Sequence, residues 1–351
     1  MSAPTIRRAI QLLPRNATTS LGSLPLTQLE LGMQAAFQLD IPCLPQLPVG
    51  KPSEFMIPAA LEGLPGLHYD EDGTCTVDVA EWTSQREAFD ARVEKALATG
   101  ALESFEPSPE ACRAWRPFVW EVEHRKLALA KAQLAGPFTV EQVVRTSTGA
   151  AFSDVPGLDR GLFRLLLARS LAMVTALRRA GVTPLFFLDE PGLYAYQRTD
   201  PRHLLILREQ RVITLALQQK GALVGVHCCS NTAWKDLLDA GLDLLSLDVR
   251  LSLDALLQNA EAVERFFASG ATLSLGLVPT DLRSTYSVPE MVRSIETSLK
   301  AALPHRSFAE LVEHMPLTPA CGLAMRTPQD AERILAELKE GQKLLRARMP
   351  S

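Results

Sequence analysis

The stretch Ala222-Leu-Val-Gly-Val-His-Cys-Cys-Ser230 decides the fold. Its apolar run, Ala222 to Val226, is too short for a buried helix and reads as a buried strand over 222–227. A helical pattern from Asp200 to Lys220 precedes it, with Pro201 at the first helical position and Gly221 past the end. A helix over 232–240, closed by Gly241, follows, and then a strand at Leu244-Leu-Ser-Leu247. The alternation continues both ways. Upstream are a strand at Gly136-Pro-Phe-Thr-Val140, a helix from Asp159 to Ala180 and a strand at Pro184–Leu188. Downstream are helix 253–269, strand 272–278, helix 289–303, strand 311–317 and helix 328–347. Strands separated by single helices are βαβ units, and βαβ units make a parallel sheet.

The first third is less regular. Ala17–Leu21 and Gln38–Leu44 read as strands, and a proline-rich stretch runs from Pro42 to Pro65. His68 to Val79 reads as a hairpin turning at Asp72-Gly73, and Ser84–Thr99 and Ser108–Leu134 as helices. About eight strands result, which is the number of a (β/α)8 TIM barrel. The expected architecture is therefore an α/β barrel with a Pro-rich, elaborated N-terminal quarter and a small β-hairpin. It forms one domain over 1–351, with 42–80 as an excursion. A doubly wound open sheet is the alternative.

Composition narrows the function classes. The chain has 351 residues, 47% hydrophobic and 22% charged, with net charge -4. There is no basic stripe to suit a nucleic acid, and no apolar run approaches the ~20 residues that span a bilayer. Met1–Ile10 holds no apolar block of signal-peptide length, so a cytoplasmic protein is expected. The six cysteines are too few and too scattered for a disulfide scaffold. In a reducing compartment, cysteines grouped with a histidine are metal ligands or catalytic groups.

Side chains alternate along a strand, so His227 and Cys229 share one face and Cys228 takes the other. An imidazole and a thiolate on one side are half of a zinc site. Polar groups recur at the other expected strand ends: Gly22-Ser23, Asp189-Glu190-Pro191, Asp248 and, just past the last strand, Cys321. In a barrel these ends converge on one pocket. Cys321 then becomes a second thiolate. Asp248 is either a fourth, oxygen ligand or a cap for the segment that follows. Asp189 and Glu190 are the candidate catalytic carboxylates, suited to a cationic group such as an α-amine. Ser23, with the backbone around Leu21 and Gly22, suits a carboxylate.

Thr19-Ser-Leu-Gly-Ser-Leu-Pro25, Gly136-Pro-Phe-Thr139, Leu188-Asp-Glu-Pro191, His227-Cys-Cys-Ser230, Ser246-Leu-Asp248 and Pro319-Ala-Cys-Gly-Leu323 occur in that order. Together they resemble the catalytic domain of cobalamin-independent methionine synthase, in a superfamily shared with uroporphyrinogen decarboxylase. The resemblance implies a (β/α)8 barrel and a Zn2+ ion held by His227, Cys229 and Cys321, with Asp248 standing where the family has glutamate. It implies homocysteine as the thiol, with Ser23 and nearby backbone at its carboxylate and Asp189 at its amino group. The full-length enzyme has a second barrel-like half that this chain lacks. The family's folate-holding tryptophan after Gly-Pro-x-Thr is absent from Val140-Glu-Gln-Val143. No histidine stands in Val278-Pro-Thr-Asp-Leu-Arg283, where the family uses one. The segment Asp40-Ile-Pro-Cys-Leu-Pro-Gln-Leu-Pro48 resembles short, single-barrel relatives.

The expected protein is thus a zinc-dependent methyltransferase that converts homocysteine to methionine. Its donor is a methylated corrinoid protein rather than methyltetrahydrofolate. A non-catalytic corrinoid- or tetrapyrrole-binding protein, a partner subunit of the same fold, and a decarboxylase-like lyase are the alternatives.

Overall fold

The computed structural model describes residues 10–281 and 285–349. Met1–Ala9 and Leu282–Ser284, on which the reading of the N-terminus and part of the Val278–Arg283 segment fall, lie outside them. The strands are β1 (Leu67–Tyr69), β2 (Cys75–Val77), β3 (Leu129–Ala135), β4 (Arg145–Thr146), β5 (Thr183–Asp189), β6 (Leu223–Cys228), β7 (Leu244–Asp248), β8 (Thr272–Val278) and β9 (Leu317–Pro319). Six of them form a parallel sheet in the order β3-β5-β6-β7-β8-β9. Every residue of β3, β6, β7, β8 and β9 is buried, as expected for strands covered on both faces.

The sheet curls, and the N-terminal stretch bonds to both of its edges. On the β9 edge, Thr19 N donates to Leu317 O at 2.9 Å and Leu317 N to Ala17 O at 2.8 Å. On the β3 edge, Lys131 N donates to Pro42 O and Leu44 N to Lys131 O. Ile41 N donates to Thr18 O, which links the two stretches to each other. The bonding residues lie in the two stretches that the sequence marks as strands, Ala17–Leu21 and Gln38–Leu44. They make isolated bridges rather than ladders. Pro42 and Pro45 remove N–H donors on either side of Cys43 and Leu44, so few pairings are possible there. This is the arrangement of a TIM-like barrel. Inside the curl, Leu13, Ala17, Ile41, Leu129, Leu185, Phe187, Leu223 and Leu244 form one buried apolar plug. The larger core lies between the sheet and the outer helices, among them Leu158–Arg179, Pro201–Gln219, Val288–Ala302 and Pro328–Arg346.

Four expectations are corrected. Ser108–Leu134 is not one helix: the helix spans Trp115–His124, and β3 begins at Leu129. Leu129-Ala-Lys-Ala-Gln-Leu-Ala135 is made of helix formers, and full burial in a ladder with β5 overrides that propensity. Gly136–Val140 is consequently not a strand. Pro137 opens a helix to Val143, which suits a ring with no N–H to leave unbonded. Helix 253–269 is two helices, Val249–Leu257 and Ala260–Ala268. The last strand begins at Leu317 after a short helix, Phe308–Val312. The β1–β2 hairpin forms as expected, and β4 extends it in parallel to three strands.

One contact fixes the end of β5 against the start of the helix that follows β3. The Glu190 carboxylate accepts from Phe138 N at 3.1 Å and from both the N–H and the hydroxyl of Thr139 at 2.6 Å. Only glycine fits at 136, because a Cβ there would lie 2.1 Å from Glu190 Oε1. Gly136→Ala is therefore expected to destabilise the fold by about 1–3 kcal/mol, the usual range for overpacking. Urea unfolding measures this, and an unchanged midpoint would contradict the packing described.

Candidate functional site

At the C-terminal end of the sheet lies a cavity of about 220 Å³. Strand ends supply Asp189 from β5, His227 and Cys229 at and just past the end of β6, and Cys321 just past β9. Leu21 and Ser23 come from the first edge-bonding stretch, and Gly322, Ala324 and Met325 follow Cys321. Gln46, Pro48, Glu54, Phe55 and Met56 form the remaining wall, together with Pro191. Six of the sequence-derived site residues thus share this region: Leu21, Ser23, Asp189, His227, Cys229 and Cys321. Gly22 lies beside it with φ +101°, and a Cβ there would sit 2.0 Å from Gln133 Nε2. Glycine lets the backbone turn across Gln133 and present Ser23.

Glu190 and Asp248 stand apart from this group. Glu190 points to the helix layer and is fully engaged at Phe138 and Thr139. Asp248 caps the helix Val249–Leu257, accepting from Arg250 N at 2.9 Å and Leu251 N at 3.2 Å. Cys228 faces away from the cavity, and its thiol donates to Ser230 O.

The electrostatics of the cavity follow from burial. Burial pushes Asp189 up to about 6, while Lys131 and His227 pull it down and Cys321 pushes it further up. Glu190 is likewise pushed up to about 7 by burial, against its hydrogen bonds from Thr139 and Phe138. The two thiols share one proton unequally. Cys321 is held below the usual thiol range, chiefly by hydrogen bonding from Cys229 with help from His227. Cys229 is driven up by Cys321 and by burial. Buried Asp189 Oδ1 and His227 Nε2 have no hydrogen-bond partner. His227 is therefore near enough to favour a Cys321 thiolate without meeting hydrogen-bond geometry. Among the described residues, no three His, Cys, Asp or Glu side chains already stand in coordinating positions. The donor types nevertheless suit zinc: an imidazole nitrogen without a partner, a thiol held as thiolate, and a second thiol beside it.

Several contributors escape the sequence reading. Lys131 is fully buried under the cavity, 3.7 Å from Cys43 Sγ, 3.5 Å from Gln133 Oε1 and 4.8 Å from the Phe187 ring centroid. Lys131 and Gln133 alternate within an apolar run, and that period of two was the available signal for a polar inward face. Gln46, Glu54, Phe55 and Met56 carried no signal, because the excursion has no periodicity to place them. Glu54 is buried and bound by Leu47 N and Arg113, which pins this wall.

The family described as cobalamin-independent synthase, catalytic domain, matches residues 127–343. No curated protein matches the chain. Among solved structures, a B12-independent methionine synthase from Shewanella sp. W3-18-1, in complex with selenomethionine, is 16% identical. It covers 66% of this chain and 67% of its own, with a TM-score of 0.45. The apo form of 3-keto-D-glucoside 4-epimerase, YcjR, from E. coli is 10% identical over 64% of this chain and 84% of its own, with a TM-score of 0.37. At these values neither likeness bears on activity.

The raised acids give a pH prediction. Asp189 holds its proton to about pH 6 when folded and to about 3.8 when unfolded, so the native state binds the extra proton between those values. Stability then falls as pH rises through that window. In metal-free protein the wild type should lose on the order of 2–3 kcal/mol relative to Asp189→Asn between about pH 4 and 6.5. Urea unfolding across that range measures the difference. Parallel profiles would show that burial does not raise Asp189.

Proposed function

The chain belongs to the cobalamin-independent synthase catalytic-domain family, and from that premise we propose that it transfers a methyl group to a small thiol, homocysteine, giving methionine. The observation that carries the reading is the meeting of His227, Cys229, Cys321 and Asp189 in one small cavity. We read the fold as a single (β/α)8 barrel, with the N-terminal stretches as its first two strands and 42–80 as an excursion over one side of the pocket. A cytoplasmic setting suits free thiols in such a site.

His227 Nε2 and the thiolates of Cys229 and Cys321 would hold a zinc ion. Asp248 serves as a helix cap in this reading, which leaves the fourth position to the substrate. Zinc there supplies Lewis-acid stabilisation that keeps a thiol substrate deprotonated near neutral pH. The remaining chemistry belongs to the chain. Asp189, which lines the cavity and has a buried oxygen without a partner, takes the substrate ammonium. Among the described residues, the Ser23 hydroxyl and N–H make no hydrogen bond within the protein, and they receive the carboxylate. Leu21, Pro48, Phe55 and Met56 exclude water from the nucleophile, which raises its reactivity.

The methyl donor would approach from outside. A cavity of about 220 Å³ is below the usual 300–1,000 Å³ of drug-sized ligands. It suits a ligand the size of homocysteine. A methylated corrinoid protein fits such a geometry, since its methyl group can be presented at the mouth.

Purified protein is expected to carry about one zinc per chain, as in catalytic sites with three protein ligands, and Cys229→Ser and Cys321→Ser should each lose it. Elemental analysis of folded protein decides this, and a zinc-free wild type indifferent to both changes would sink the metal reading. With homocysteine and methylcobalamin, methionine should form. Asp189→Asn should raise KM roughly 10- to 100-fold, the worth of one charge-assisted hydrogen bond. Methionine production is read by mass spectrometry; its absence with both methylcobalamin and methyltetrahydrofolate would overturn the assignment.

A further inference from the structure

Ser246 stands on β7 directly across from His227 on β6, and its Oγ lies 3.0 Å from His227 Nδ1. Both side chains are buried: Ser246 is 0% exposed and His227 3%. Ser246 is one of two buried hydroxyls in register here, the other being Ser274 on β8. The neighbour of Ser246 on the same face of β7 is Leu244, a member of the apolar plug. On the other side of His227, Asp189 occupies the paired position on β5. Asp189 Oδ1 has no partner, and among the described residues no hydrogen bond joins Asp189 to the ring. The imidazole is therefore oriented from the Ser246 side alone.

We propose that Ser246 is a positioning residue for the candidate metal centre. It accepts the Nδ1 hydrogen of His227, fixes the ring in that tautomer and turns the Nε2 lone pair toward Cys229 and Cys321. The chemistry is general: a ligating histidine holds its ring by the hydrogen bond of its other nitrogen, and loss of that partner weakens metal binding. His227 Nε2 is buried without a partner. A hydrogen on Nε2 would be a buried unsatisfied donor and would block coordination, whereas a hydrogen on Nδ1 is satisfied by Ser246 and leaves Nε2 free. The inference rests on reading His227 as a zinc ligand. Ser246 touches neither metal nor substrate and acts only through His227.

The test has two readouts that do not depend on turnover. Long-range ¹H–¹⁵N NMR of the metal-free protein, with His227→Gln for assignment, reads the His227 tautomer. The wild type should carry its hydrogen on Nδ1. Ser246→Ala should shift the population toward Nε2–H, and Ser246→Thr, which keeps the hydroxyl, should restore it. Chelator competition reads zinc affinity, which Ser246→Ala should weaken about 10- to 100-fold, with Thr near the wild type. A wild-type ring protonated on Nε2, or a Ser246→Ala variant that binds zinc as tightly as the wild type, overturns the inference alone. A folded wild type that binds no zinc overturns the metal reading and the inference together.

Discussion

The site depends on the hydrogen bonds that join the last strand to the start of the described chain. Leu317 exchanges bonds with Ala17 and Thr19, and a few residues further on Leu323 N donates to Ser23 O at 3.0 Å. This seam is tight: a Cβ at Gly322 would lie 2.2 Å from Ser23 Oγ. Cys321 is thereby held against the segment that carries Leu21, Gly22 and Ser23, although some 300 residues separate them in sequence. Loop-closure entropy grows only logarithmically with length, so so distant a pairing is not much harder to close than a short one. Without the seam, His227 and Cys229 would keep their places on the sheet. Cys321 and the Leu21–Ser23 backbone would have no reason to face them.

A second constraint is charge. The interior below the cavity holds Lys131 with no carboxylate at ion-pair distance among the described residues. Its surroundings are the face of Phe187, the Cys43 sulfur and the Gln133 carbonyl. An ammonium in such a place is supported by the ring quadrupole and by polar contacts. Its field extends to Asp189, where it opposes the effect of burial. The barrel interior is thus graded. An apolar plug lies at the N-terminal end of the strands, Lys131, Cys43 and Gln133 form a polar tier above it, and Asp189, His227 and Ser246 form the open tier. Asp189, His227 and Ser246 stand in register across β5, β6 and β7.

Much of this was legible in the sequence, for a physical reason. Strands in a parallel sheet are buried on both faces, so their apolar runs stand out, and polar residues at their C-terminal ends stand out more. His227, Cys229, Asp189 and Cys321 can be grouped from the sequence on that ground. β3 was misplaced because Leu129–Ala135 is written in helix formers and its strand character comes from its neighbours. Glu190 looked like a second site carboxylate because adjacent strand residues point oppositely, and sequence alone does not say which of the two faces inward. Asp248 carried both readings from the start, and its two backbone hydrogen bonds favour the cap. The wall of Gln46, Phe55 and Met56 was not legible, since a proline-rich excursion follows no period that would aim its side chains.

The two halves of the pocket are therefore built by different means, and this bears on specificity. Strand ends set the half that carries Asp189, His227, Cys229 and Cys321, where a shift of one residue would turn every side chain to the wrong face. The other half is a wall from the proline-rich excursion, in which buried Glu54 pairs with partly buried Arg113 at 2.8 Å. Loops over a rigid scaffold change composition without disturbing the sheet beneath. A fold of this kind can keep its strand-end groups fixed while the wall adapts to a different ligand. Met325, 77% exposed at the rim, and Met56 within the wall give that half an apolar, adaptable surface.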